Sequence, residues 1–249
     1  PAARAEQDYN NPVTASGSYT RWFPSLHLAY DLQPNLKAVG SWSTSYGRPD
    51  FGSLVPGLTV NDASSTVTVN NPAIGPQYSE NIDLTLQYYI RPAGVLSVGF
   101  FKKEIKDYIA TFNAGAIGSG PDNGYSGDYA GYNLISRRNV GFAEIEGWEA
   151  EYRQQFTALP GLLKGLDFTA AYTRLTATGD YGGTGVRTSG QIAGFVPRTY
   201  NFSLGYNYRA FGGRVLMSYR SNYLSTYSAT VPRNEYNTSR TVWNVQTSY

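Results

Sequence analysis

No cysteine occurs among the 249 residues, and there is one histidine, His27. The missing thiols exclude disulfides and cysteine-ligated metal sites. Charge is also scarce: Asp, Glu, Lys and Arg make up 15% of the chain, against roughly 25% in an ordinary soluble domain. The net charge is +2 and no stripe of Lys and Arg stands out, which argues against a nucleic-acid partner. Long apolar runs are missing too. No window reaches the ~18 to 20 apolar residues of a membrane-spanning helix, and the mean hydropathy is −0.37. That excludes a helical membrane protein but not a transmembrane β-barrel, whose strands need only ~9 to 11 alternating residues each. The first residues, PAARAEQDYNNP, contain neither an initiator Met nor the apolar core of a signal peptide. They read as the start of a trimmed or internal piece of a longer protein.

What is abundant is Tyr (22) and Gly (27), a β-rich bias. The stretch NIDLTLQYYIRPAGVLSVGFF (81–101) shows why. Successive side chains of a strand point to opposite faces, so Leu84, Leu86, Tyr88 and Ile90 share one face and Asp83, Thr85, Gln87 and Tyr89 the other. RPAG reverses the chain, and Leu96, Val98 and Phe100 continue the apolar face in a second strand. The signature recurs in SLHLAYDL (25–32), LKAVGSWSTSY (36–46), GFAEIEGWEAEYRQQF (141–156), LDFTAAYTRLTA (166–177), TYNFSLGYNY (199–208), RVLMSYRSNYL (214–224) and the terminal TVWNVQTSY. About nine strands result. Their connections alternate between short (QPN, RPAG, TALPGLLKG, RAFGG) and long (about 48–80, 110–139, 178–198 and 224–239), which predicts two rims of different character, as in outer-membrane barrels with short periplasmic turns and long extracellular loops. Leu86, Val98, Phe168, Ala170 and Leu204 are expected to meet lipid, and Thr85, Gln87, Thr169 and Ser203 to face a polar lumen. One segment fits a helix as well: FKKEIKDYIA (101–110) places Phe101, Ile105, Tyr108 and Ile109 at helical spacing.

Candidate sites are few. His27 falls on the polar face, and with no G-x-S-x-G elbow it reads as a wall residue rather than a catalytic base. Asp83, Glu149, Glu151, Arg153 and Arg220 project to the same side, where both charge signs meet water or one another. Asp122, Asn123 and Asp128 offer oxygen ligands at a spacing that fails the EF-hand pattern, so no metal site is expected. GSGPDNG and GGTG lack the Lys-Ser/Thr of a phosphate loop. The ligand-binding candidates lie in the 110–139 stretch. Tyr125, Tyr129 and Tyr132 can stack on a sugar or catecholate ring, while Arg137 and Arg138 meet carboxylate or iron-chelate charge.

The ordered series NPAIGPQYSENIDLTLQYYI, VLSVGFFKKEIKDYI, NVGFAEIEGWEAEYRQQF and LDFTAAYTRLTA resembles the C-terminal half of the barrel in TonB-dependent receptors. FPSLHLAYDLQPNLKAVGSWSTSYGRPDF, with Arg48, Pro49, Asp50 and Phe51, is similar to the portion just upstream. The likeness runs from about Phe23 to Tyr249. It implies an all-β fold: an antiparallel transmembrane barrel segment of about nine strands from a larger barrel of 22, in the bacterial outer membrane. Residues 1–249 would then be a partial barrel domain without the plug. It further implies a non-enzymatic part in energised uptake of a scarce nutrient of the siderophore, cobalamin or glycan class. Cofactors are not expected; the partners are membrane lipid, the substrate, and TonB and the plug through the full-length parent. Two other readings fit the residues: a complete small outer-membrane barrel, supported by the terminal aromatic Tyr249, and a secreted β-sandwich binding glycans through its Tyr-rich loops.

Overall fold

The computed structural model describes residues 16, 18–180, 188–226, 232 and 234–249. Nine strands lie side by side in one antiparallel sheet: β1 (Ser25–Gln33), β2 (Leu36–Gly47), β5 (Gln77–Ile90), β6 (Gly94–Ala116), β7 (Asn133–Gln155), β8 (Leu166–Asp180), β10 (Arg198–Tyr208), β11 (Phe211–Arg220) and β14 (Arg240–Ser248). The five numbers skipped are short strands of the long connections: β3 (Leu58–Asn61), β4 (Thr66–Val69), β9 (Thr188–Ser189), β12 (Tyr223–Thr226) and β13 (Glu235–Asn237). Each main strand pairs with the next in sequence, so short and long connections fall on opposite rims, as their lengths predict. Among the described residues, β1 and β14 each pair on one side only. The sheet is therefore open and single-layered, unlike either the closed small barrel or the two packed layers of a sandwich.

Register fixes the faces. Tyr30, Ala38, Leu86, Val98, Ala150 and Tyr172 form one row across six strands. Val39, Thr85, Gly99, Glu149, Thr173 and Thr199 form the next, pointing the other way. The apolar face is bare: Leu28 is 64% exposed, Tyr30 71% and Val245 70%. An apolar surface of this extent on a water-soluble monomer would be out of range. Polar groups on the other face pair with one another: across strands, the Ser41 hydroxyl donates to Asp83 Oδ2 at 3.2 Å and Arg214 pairs with Asp167 at 3.1 Å, and along β7 Arg153 pairs with Glu151.

The helical alternative for residues 101–110 is overturned, because β6 continues as a strand to Ala116, hydrogen-bonded to β5 on one side and β7 on the other. A helix there would strip the ladder partners from both neighbours. The helix-like spacing has a separate cause. Asp107 (φ 55°) and Gly141 (φ 27°) lie opposite one another in the β6–β7 ribbon, both in the left-handed region. Beyond them the faces exchange: Tyr108 and Ala110 pack into the same cluster as Ile105, Ala143, Ile145 and Ala177, although uninterrupted alternation would set them on the opposite side.

That cluster is the principal buried core, and it lies on the polar face near the long-loop rim. It is capped by Ile192, which is 2% exposed, and by Phe195. Leu175 N–H donates to Pro197 O and Gly194 N–H to Leu224 O, both at 2.9 Å, so the third and fourth long connections are tied together over it. Gly179 lets Ile192 approach: a Cβ at 179 would lie 2.8 Å from Ile192 Cδ1 and from the Phe142 carbonyl. Residues 181–187, within the third connection, and 227–231 and 233, within the fourth, lie outside the described residues, as does the segment 1–12.

Candidate functional site

β6 and β7 are each 23 residues long, whereas roughly ten residues cross a bilayer. The remainder stands above the sheet as a two-stranded extension. Much of the stretch expected to be loop (110–139) is therefore strand, and the true connection is 117–132. Its ends are clasped by the Ile117 N–H donating to Tyr132 O and the Gly131 N–H to Ile117 O, both at 2.8 Å. Asn123 is its hub. The Asn123 amide donates to Gly118 O (3.0 Å) and Asp128 O (2.8 Å) while its oxygen accepts from the N–H groups of Tyr125 (2.8 Å) and Gly127 (3.0 Å). All its polar capacity goes to the loop backbone. Gly124, Gly127 and Gly131 supply left-handed positions for these reversals.

The loop brings the three candidate tyrosines together. Tyr125 meets Tyr129 edge-on at 5.8 Å between ring centres, and Tyr129 meets Tyr132 at 5.9 Å. Tyr132 Oη–H donates to Asp62 Oδ1 at 3.1 Å. That hydrogen bond and the carboxylate's charge raise the Tyr132 phenol above its ordinary pKa, because both disfavour the phenolate.

The two arginines part company. Arg137 lies opposite Thr111 and Arg138 opposite Ala110, so they point to opposite faces. Arg138 shares the side of the buried cluster. Arg137 lines a groove of about 420 Å³ with Asp50, Ser53, Thr68, Asn70 and Thr111, and its Nη1 donates to Ser53 Oγ at 3.3 Å. The groove's far wall is the 48–76 connection, folded back against β7. β4 pairs parallel with β7, placing Thr66 to Val69 beside Asn133 to Ser136. Asn71 Nδ2 donates to Arg137 O at 2.9 Å, and Asn139 exchanges bonds with Gly75 N–H (2.8 Å) and O (3.0 Å). Asn70 Nδ2 reaches both Gly52 O and Val55 O at 2.8 Å. Nearby, burial raises the Tyr108 phenol pKa.

Asp50, Ser53 and Asp62 were not among the sequence-based candidates. The signal that was present is Asn70-Asn71-Pro72, where Asn71 Oδ1 accepts from Ala73 N–H at 3.0 Å in a side-chain-closed turn. His27 falls in a row with Ser41 and Asp83, but the Ser41 hydroxyl donates straight to Asp83, so the histidine does not bridge them as a catalytic base would.

This single sheet, oily on one face and polar on the other, with a folded long-loop rim, matches the family described as TonB dependent receptor-like, beta-barrel, over residues 3–249. The chain belongs to that family. TonB-dependent receptors are outer-membrane transport proteins, so the apolar face meets lipid, the polar face lines the lumen, and the long connections are extracellular. No curated protein sequence matches the chain. Solved structures with the same fold include a mutant ferric enterobactin receptor, PfeA, from Pseudomonas aeruginosa: TM-score 0.63, 16% identity, 90% of this chain and 32% of that one covered. The siderophore receptor PirA from Acinetobacter baumannii gives TM-score 0.63 at 15% identity, with 92% and 34% covered. The copper transporter OprC gives 0.59 at 15%, with 89% and 30% covered. The chain thus spans about a third of each.

Proposed function

We propose that these nine strands are part of a 22-stranded receptor barrel that takes up a scarce nutrient of the siderophore, cobalamin or glycan class. The full-length parent would work with a plug and draw on TonB, and it is not an enzyme. The observation that carries this reading is the extracellular groove at Arg137, walled by a connection that folds back and hydrogen-bonds to β7, with the tyrosine ladder at the extension's tip. Tyr132 precedes β7 and Arg137 is five positions further on, up to roughly 16 Å of extended chain, so a ligand touching both would have to be bulky and span the edge of the extension rather than be a single small ion. The rings offer stacking, and Arg137 offers charge-assisted hydrogen bonds to an anionic chelate.

The test is uptake by cells carrying the parent gene, presented in turn with a labelled ferric catecholate, cobalamin and an oligosaccharide. One of these should accumulate only when TonB is present, and Arg137→Ala with Tyr129→Ala should cut its binding about tenfold or more, the usual range for losing a charged contact and a stacked ring. Uptake that ignores TonB, or binding unchanged by both substitutions, would refute the reading.

A further inference from the structure

The 117–132 connection has a chemically reactive pair at its hub. Asn123 is followed by Gly124, the one Asn-Gly pair in the sequence, with Asn123 half-buried and Gly124 exposed. A side-chain carboxamide can close on the next backbone nitrogen, and glycine, with no Cβ, leaves that approach unobstructed. Nothing crowds the position either: a Cβ built at Gly124 would meet no atom within 4 Å. The N–H groups on both sides of it are engaged, Asn123 N–H by Gly120 O at 3.3 Å and Tyr125 N–H by Asn123 Oδ1 at 2.8 Å. Among the described residues the Gly124 N–H has no hydrogen-bond partner, so the nitrogen that would attack is the uncommitted one.

The carbon it would attack is guarded. Asn123 Nδ2 donates to two carbonyls and Oδ1 accepts two N–H groups, and attack makes Cγ tetrahedral, which the planar four-bond arrangement does not allow. Reaction therefore requires the loop to open. The product would keep it open. An acid at position 123 has no donor for Gly118 O and Asp128 O, and its carboxylate would set oxygen against oxygen at both. Backbone geometry adds to this. Ser126 (φ 56°) and Tyr129 (φ 58°) are left-handed without being glycine, a conformation that persists where surrounding bonds impose it. The contacts of Asn123 to Tyr125, Gly127 and Asp128 bracket Ser126 and end beside Tyr129. Tyr129 is the middle ring of the ladder, so both ring contacts depend on that backbone.

We propose that Asn123-Gly124 is a self-modification site, gated by opening of the 117–132 loop, whose reaction irreversibly dismantles the tyrosine ladder. The Gly124 nitrogen bonds to Asn123 Cγ, the Cγ–Nδ2 bond breaks, and the N–H proton leaves with the ammonia. Water then adds to either carbonyl of the cyclic imide, giving aspartate or, with one more carbon in the chain path, isoaspartate. The site is independent of which nutrient is carried, because mass and exchange read it rather than uptake.

The experiment incubates the purified parent receptor at mildly alkaline pH, folded in detergent or unfolded in urea, and follows the tryptic peptide 107–137 by mass spectrometry with fragmentation. Asn113 lies in the same peptide and serves as the internal reference. In the unfolded receptor, position 123 should convert from amide to acid at least tenfold faster than position 113, since alanine follows Asn113 where glycine follows Asn123. Folding should slow conversion at 123 at least tenfold, as expected of a reaction that waits for local opening. Asn123→Asp, with heat-modifiable migration as the check on folding, should accelerate hydrogen exchange across 117–132 at least tenfold and leave the β5–β6 ladder protected. Conversion at 123 no faster than at 113, a folded rate equal to or above the unfolded one, or native exchange protection in Asn123→Asp would each overturn the assignment. The first two readings need no variant, so they decide even if Asn123→Asp fails to fold.

Discussion

Placing an arginine at Leu86 should destabilise the parent barrel by about 2 to 4 kcal/mol, the cost of a cationic side chain on the lipid face at the bilayer midplane. The depth comes from β5 itself. Ile90 ends the strand at the short-turn rim, and four positions at ~3.3 Å and ~45° put Leu86 roughly 9 Å above it, with Glu80 about 14 Å further on. Leu86 is thus near the centre of a ~25 Å band. Its cross-strand neighbours, Ala38 and Val98, offer no counter-charge, and its side chain is exposed on the apolar face. Ile82, two positions short of Glu80, lies about 5 Å from the upper edge, so Ile82→Arg should cost only ~0 to 1 kcal/mol. Thr85→Arg, one position from Leu86 but on the lumen face beside Gly99 and two strands from Glu149, keeps its charge in water and should also cost less than ~1 kcal/mol. Equilibrium urea unfolding in phospholipid vesicles, followed by tryptophan fluorescence, measures all three. A Thr85→Arg cost equal to that of Leu86→Arg, or a penalty at position 82 matching that at 86, would refute the assigned face and depth.

These 249 residues contribute no native thiol: in the parent barrel in a bilayer, a water-soluble maleimide should modify Cys introduced at 85, 169 and 203 and spare 86, 168 and 204, and a labelling pattern without a two-residue period would contradict the face assignment. Asp62→Asn removes the charge that holds the Tyr132 proton, so its phenol should ionise at lower pH than in the native protein; 19F NMR of a fluorotyrosine at 132 reads this, and an unchanged midpoint would sever the link. Gly179→Val would drive Ile192 off its seat; hydrogen exchange at residues 191–196 should accelerate at least tenfold while the β5–β6 ladder stays protected, and equal protection would show that the strap does not depend on that contact. Expressed alone, residues 1–249 should not give a heat-modifiable monodisperse monomer in detergent, because the open edges of β1 and β14 expose backbone groups that lipid cannot satisfy.

Where one face meets lipid and the other water, the sequence states the fold directly. Strands such as NIDLTLQYYI show it because Leu84 and Leu86 cannot exchange places with Asp83 and Thr85 without burying polar groups in hydrocarbon. The same logic made the rims readable, since connection length is visible without coordinates. It stopped at the membrane edge. Above it both faces of β6 and β7 are wet, the alternation fades, and residues 110–116 and 133–139 pass for loop although they pair along their length, with one bulge at Ala114. The β3–β4 hairpin escaped for a similar reason: its four-residue strands gain stability from lying against β7, a contact that local pattern does not reveal. Of the candidate site, the tyrosines came out together because they share one short loop. Arg137 and Arg138 were grouped by adjacency alone, and strand geometry separates neighbours. Asp50, Ser53 and Asp62 reached the site from more than sixty positions away, through the fold-back of the 48–76 connection.

The paired left-handed positions at Asp107 and Gly141 act as a grammatical break between two texts written on one ribbon. Below them, odd and even positions are bound to the bilayer, and a shift of one residue would be ruinous. Above them the parity is reset, so the projecting part of β6 and β7 can gain, lose or exchange residues under its own rules while the lipid-facing rows stay in step. A receptor built this way can change what it holds outside the cell without renegotiating how it sits in the membrane.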